Sequence, residues 1–214
     1  MDRRHFTTLA LAAASKPALA AKPPATWDGL VRVKSKKFKL VYLAPSTDFR
    51  AYTKVMLDPT EIAFQKDWQR SYNDDALSVT GRLTDKDLQA KAYAAGGYPV
   101  VDAAAADVLR VRTGLVDITV SAPDRDTPGI ARTYAPDAGG ATVVVEARDS
   151  MTGALLGRAV DSRTAGDLSV GDRNRVTNRA DFGVLVEAWA KNSVKGLDEL
   201  KTLSPIKPGD EAEG

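Results

Sequence analysis

Apolar and polar positions divide the chain into short alternating runs and one long helical pattern near the carboxyl end. Phe38, Leu40 and Tyr42 alternate with Lys39, Val41 and Leu43, which predicts a strand ended by Pro45. Val31 to Lys34 is a weaker alternating fragment. The lysine-rich stretch Lys34 to Lys39 beside it reads as a solvated edge strand or a tether. Ser46-Thr47-Asp48 is placed to cap a single turn through Tyr52. Lys54 to Phe64 reads as extended, with Pro59 making an edge, bulge or bend of its middle. Leu83 to Ala95 predicts a helix: Thr84 is the N-cap, Asp87 follows three residues later, Leu83 and Leu88 form a hydrophobic staple, and Gly96-Gly97 ends it.

Tyr98 to Val101 and Val108 to Ser121 have strand composition. In the longer run Leu109 and Val111 share one parity, whereas Val116, Ile118 and Val120 share the other. Keeping both sets on one core face requires an inserted residue, expected near Gly114. Ala122 to Gly140, rich in proline and aspartate, reads as a surface loop. Val143, Val145 and Ala147 mark a half-buried strand, Asp149 to Gly153 a turn, and Ala154 to Asp161 its hairpin partner. After a Gly- and Asp-rich loop, Arg163 to Arg175, the apolar residues Phe182, Leu185, Trp189, Val194, Leu197 and Leu200 recur at helical spacing, with Asn178 as N-cap. Runs of strands closed by an amphipathic helix predict an α+β fold: a two-layer domain, largely antiparallel β-sheet, with two main helices packed on one face. The expected organisation is a lead-in over 21–30, a single domain over 31–203 and a disordered tail over 204–214.

The first 20 residues read as an export signal. Arg3-Arg4 is a basic head, Thr7 to Ser15 a mildly apolar stretch, and Ala18-Leu19-Ala20 a small-x-small cleavage site before Ala21. Arg3-Arg4-His5-Phe6 resembles the twin-arginine export signal, while Asp2 and Thr7-Thr8 depart from its usual flanks. The apolar stretch is shorter than the roughly 20 residues a bilayer span needs, so no transmembrane anchor is expected. The expected destination is the periplasm, with cleavage between Ala20 and Ala21.

Cleavage would reduce 30 Lys plus Arg to 27 and 28 Asp plus Glu to 27, a mature net charge of zero. The only histidine, His5, leaves with the signal, and there is no cysteine. Imidazole- and thiol-based nucleophile systems, imidazole or thiolate zinc sites and disulfides are thereby excluded from the mature chain. The acidic pairs Asp74-Asp75, Asp85 with Asp87, and Asp124 with Asp126 read as solvated surface, since a glycosidase needs two carboxylates facing each other across a cleft. Gly166 and Gly171 are followed by Asp172-Arg173, which is not a phosphate loop. Arg173, Arg175 and Arg179 precede the last helix and form a candidate anion or partner contact, with pairing to Asp167, Asp172 and Asp181 as the competing reading. No catalytic residue, metal site or cofactor is assigned, and nucleic acid is not an expected partner of an exported chain without net positive charge.

Four segments, Tyr52 to Pro59, Ala63 to Trp68, Arg148 to Gly153 and Thr177 to Phe182, resemble domain-of-unknown-function family 3313 (DUF3313). The resemblance runs from about Trp27 to Leu200. It implies a bacterial exported protein of unassigned activity; many members are lipoproteins, but this chain lacks the Cys that would carry a lipid. Three functions stay open. The leading one is a non-catalytic envelope protein, a binding or assembly factor acting through contact with another envelope protein or a cell-surface polymer. The others are a small-molecule binding module with a pocket lined by residues such as Trp68, Tyr72 and Trp189, and a carboxylate-dependent hydrolase.

Overall fold

The computed structural model describes residues 23–64, 86–120, 139–165 and 175–207. The strands are β1 (Thr26–Trp27), β2 (Leu30–Val33), β3 (Leu40–Leu43), β4 (Lys54–Leu57), β5 (Glu61–Phe64), β6 (Val108–Val120), β7 (Gly139–Asp149) and β8 (Leu155–Ala165). The helices are α1 (Lys86–Ala95) and α2 (Arg175–Leu203), with a 3-10 turn at Phe49–Ala51. One eight-stranded open sheet has the order β1-β2-β3-β8-β7-β6-β4, with β5 also beside β6. Every pairing is antiparallel except those of β4 and β5, which run parallel to β6. The fold is α+β, as the apolar pattern predicts.

Both helices cover the same face. Leu115, Val143 and Asp161 are aligned across β6, β7 and β8. Trp189 of α2 donates its indole N–H to Asp161 Oδ2 at 3.0 Å, and Gln89 of α1 accepts from Thr113 Oγ1. Phe182, Leu185, Trp189, Val194 and Leu197 are buried in one core with Val41, Leu43, Leu109, Val111 and Ile118. Gly97 ends α1 at φ +84, where glycine has no steric penalty. At Gly96 a Cβ would collide with the Val194 side chain, so glycine sets the distance between α1 and α2.

Local expectations hold at several points. Asp48 caps the 3-10 turn by accepting from Arg50 N, and Pro59 separates β4 from β5. Elsewhere the structure differs. The break in β6 falls between Val116 and Thr119, not at Gly114, which stays in register opposite Val144. Leu115 continues the parity of Leu109 and Val111, and Asp117 takes the extra residue at φ 51, a conformation aspartate tolerates better than most residues. Tyr98 to Val101 makes one bridge, Val55 to Val100, rather than a strand. Asn178 is not the N-cap, because α2 already begins at Arg175. Thr84 and Leu83 lie outside the described residues.

Both ends of the domain are tied down further than composition suggested. Composition reads residues 21–30 as a lead-in, yet Thr26–Trp27 pairs with Leu30–Val33 through a tight turn at Asp28 (φ 53) and Gly29 (φ 80). Arg32 N donates to Ala25 O, and the Tyr42 hydroxyl donates to Pro24 O. At the other end Ser204 and Ile206 are buried, which corrects a tail beginning at 204. Phe49 N donates to Ser204 Oγ at 2.9 Å, and Ile206 exchanges backbone bonds with Ser46 and Thr47.

Candidate functional site

The face opposite the helices carries a charged row set by strand register. Arg112, Glu146, Arg158, Tyr42 and Arg32 are direct neighbours across β6, β7, β8, β3 and β2. Asp58, just beyond β4, extends the row next to Arg112. Successive side chains on a strand point to opposite faces, so the valines at 111, 143 and 145 turn to the core while the residues between them build this row.

The row is closely paired. Arg158 Nη2 lies 2.8 Å from Glu146 Oε1, and its Nη1 lies 2.8 Å from Asp28 Oδ2. Arg148 Nη2 reaches Glu146 Oε2 at 2.8 Å. Arg112 Nη2 reaches Glu61 Oε1 at 2.6 Å, and Arg110 Nε reaches Asp58 Oδ1 at 2.9 Å. Arg158 is only 8% exposed, because the Trp27 ring covers its guanidinium at 4.2 Å. Trp27 in turn meets Tyr42 edge-on, with centroids 5.6 Å apart. Burial alone would raise the Glu146 carboxyl, but hydrogen bonds from Arg158 and Arg148 outweigh it and hold the group below the usual carboxylate range. Burial also pushes the Tyr42 phenol up, against the opposing charge of Arg32.

Two of the segments singled out in the sequence meet through Tyr52 and Asp149. The Tyr52 hydroxyl donates to Asp149 Oδ2 at 2.9 Å. Asp149 Oδ1 also accepts from Met151 N, Thr152 N and Thr152 Oγ1, which closes the β7–β8 turn. Ser150 Oγ donates to Ala105 O and accepts from Ala105 N. These residues lock loops in place. The model of a family described as "Protein of unknown function (DUF3313)" matches residues 22–193. The chain belongs to that family.

In this DUF3313 protein most of the residues proposed from sequence lie beyond what the structure describes. Ala20, Ala21, Arg173, Trp68, Tyr72, Asp74, Asp75, Asp85, Asp124 and Asp126 lie outside the described residues. Arg175 and Arg179 fall in the first turns of α2, where only their backbone is described. Trp189 is buried and tied to Asp161, and it lines a small cavity of about 20 Å³ with Gln89, Tyr93 and Ser193. The Arg158–Glu146–Arg112 row was missed; its signal is the charged residue between the core valines, and only register shows that three such positions coincide.

A search of the curated proteins finds no match. Among solved structures, a PelC dodecamer from Paraburkholderia phytofirmans is 14% identical, with a TM-score of 0.36 over 69% of this chain and 96% of that one. A PelC variant dodecamer from the same organism is 15% identical, with a TM-score of 0.33 over 70% and 95%. A putative neuraminyllactose-binding hemagglutinin homolog from Helicobacter pylori is 12% identical, with a TM-score of 0.31 over 75% and 93%. Likenesses this weak transfer nothing to this chain. Among the described residues no helix is long and apolar enough to cross a membrane, and no group of three or more metal-ligating side chains is gathered.

Proposed function

We propose that this DUF3313 protein is exported, cleaved between Ala20 and Ala21, and serves in the bacterial cell envelope as a non-catalytic binding or assembly factor. Its contact surface is the helix-free face of the sheet, and its partner is another envelope protein or a cell-surface polymer. The observation that carries this reading is the Arg158 row: a pre-organised set of guanidinium groups, held by carboxylates and by Trp27, across five neighbouring strands. Arginine with an aromatic neighbour is a frequent anchor of protein contacts. A hydrolase is disfavoured because Glu146, the most enclosed carboxylate of the row, is held ionised, the reverse of what a general acid needs.

The test is site-specific photocrosslinking in living cells. A crosslinker at Trp27 should capture a discrete partner, while one at the exposed Val184 on α2 should not. Equal capture at both positions, or none at Trp27, would refute the surface. Amino-terminal sequencing of the periplasmic protein should begin at Ala21; recovery only from the cytosol with Met1 intact would refute export.

A further inference from the structure

The layer beneath the carboxyl-terminal half of α2 is incompletely filled. Ala147 faces Gly157, and Val145 faces Ala159, so β7 and β8 present small residues side by side. Above them α2 presents Ser193 and Gly196. The result is a cleft of about 90 Å³ walled by Val41, Leu43, Val111, Leu197 and Leu200. Walls of this kind hold no water well and forfeit dispersion contacts while empty, so an apolar guest restores what the small residues leave unmade.

The mouth has a different character. Lys34 and Ser35 stand on one lip and Glu199 on the other. Glu199 is neutralised by Lys37, whose Nζ lies 3.5 Å from its Oε1. Lys34 and Lys36 are exposed, and among the described residues neither has an ion-pair partner. Among the described residues, Lys34 therefore puts uncompensated positive charge at the entrance of an apolar cleft, with Lys36 two residues further along the same stretch.

We propose that this cleft binds the hydrocarbon end of a single-chain anionic amphiphile, a fatty-acid-like molecule whose carboxylate lies at Lys34 and Lys36. Charge complementarity at the lip selects the anion, and the apolar walls select the alkyl chain. The space takes the last few methylenes of an alkyl chain rather than its whole length. Gly196 controls the volume: a Cβ there meets only Phe38 Cε2, at 3.8 Å, so a longer side chain has room to enter the cleft. This site is separate from the helix-free face, and neither proposal depends on the other.

The experiment is calorimetric titration of the purified full chain with dodecanoate below its micellar concentration, against dodecyltrimethylammonium. Saturable binding of one dodecanoate, at least tenfold tighter than the cation, is expected. Gly196→Leu should weaken it at least tenfold, and Lys34→Glu with Lys36→Glu should abolish the preference for the anion. If Gly196→Leu fails to fold by circular dichroism, methyl resonances of the unaltered protein decide: shifts centred on Val41, Leu197 and Leu200 support the cleft. No saturable binding, equal affinity for the cation, undiminished binding by folded Gly196→Leu, or shifts centred elsewhere overturns the proposal.

Discussion

Truncating Trp189 to alanine tests the two-layer architecture directly. The residue is 3% exposed and lies between α2 and the sheet. A tryptophan buries about 200 Å², and at roughly 25 cal/mol per Å² its removal costs about 5 kcal/mol in transfer energy. Relaxation of the site brings large aromatic truncations to about 3–5 kcal/mol in practice. The indole N–H also bonds Asp161, itself only 3% exposed, and truncation strips one donor from that carboxylate. Arg163 Nε, 2.6 Å away, still satisfies Asp161 in part, so this loss adds about 1 kcal/mol. The expected total is about 4–6 kcal/mol, read as a fall in the urea midpoint followed by circular dichroism. Trp189→Phe keeps most of the packing and removes only the donor, and should cost about 1–2 kcal/mol. A loss below about 1 kcal/mol for Trp189→Ala would mean that α2 does not rest on this face.

Glu146→Gln should cost about 2 kcal/mol at neutral pH, since Arg158 keeps Asp28 but loses its enclosed carboxylate. Because the folded Glu146 is held below its unfolded value, its contribution is present above about pH 4.5 and is lost as pH falls further; the acid limb of the wild-type stability curve should therefore be steeper than that of Glu146→Gln, which denaturant midpoints at stepped pH will check. Tyr52, pushed up to about 12 by burial and then by its bond to Asp149, stays protonated across the neutral range. Tyr52→Phe should cost about 1 kcal/mol, and the effect should vanish in an Asp149→Ala background if the pair is coupled as the geometry requires. Two glycines should respond with opposite signs in thermal melts: Gly96→Ala should destabilise by about 1–3 kcal/mol through its clash with Val194, whereas Gly196→Ala, with only Phe38 in ordinary contact, should stabilise by about 0.5–1 kcal/mol.

The periodicity of Phe182 through Leu200 was sufficient to place α2 and its buried face, because a 3.6-residue repeat has one geometric meaning. Alternation at Val143, Val145 and Ala147 likewise identified a half-buried strand, and Asp149 to Gly153 its turn, since turn chemistry is local. The family was legible in segments such as Tyr52 to Pro59 and Arg148 to Gly153, which the structure joins through Tyr52 and Asp149. The position of the β6 bulge was not legible, because whether Leu115 or Val116 faces the core depends on the register of β7 beside it. The docking of Ile206 was equally hidden: its partners, Ser46 and Thr47, are more than 150 residues away and supply bonds that composition cannot show. The charged row and the apolar cleft belong to tertiary structure for the same reason. Arg112, Glu146 and Arg158 become neighbours only when three strands are in register. The cleft exists because small residues on β7 and β8 fall beneath Gly196 of α2. Sequence determined which faces are apolar, by local pattern; packing between distant segments decided which polar groups meet and where the core stays unfilled.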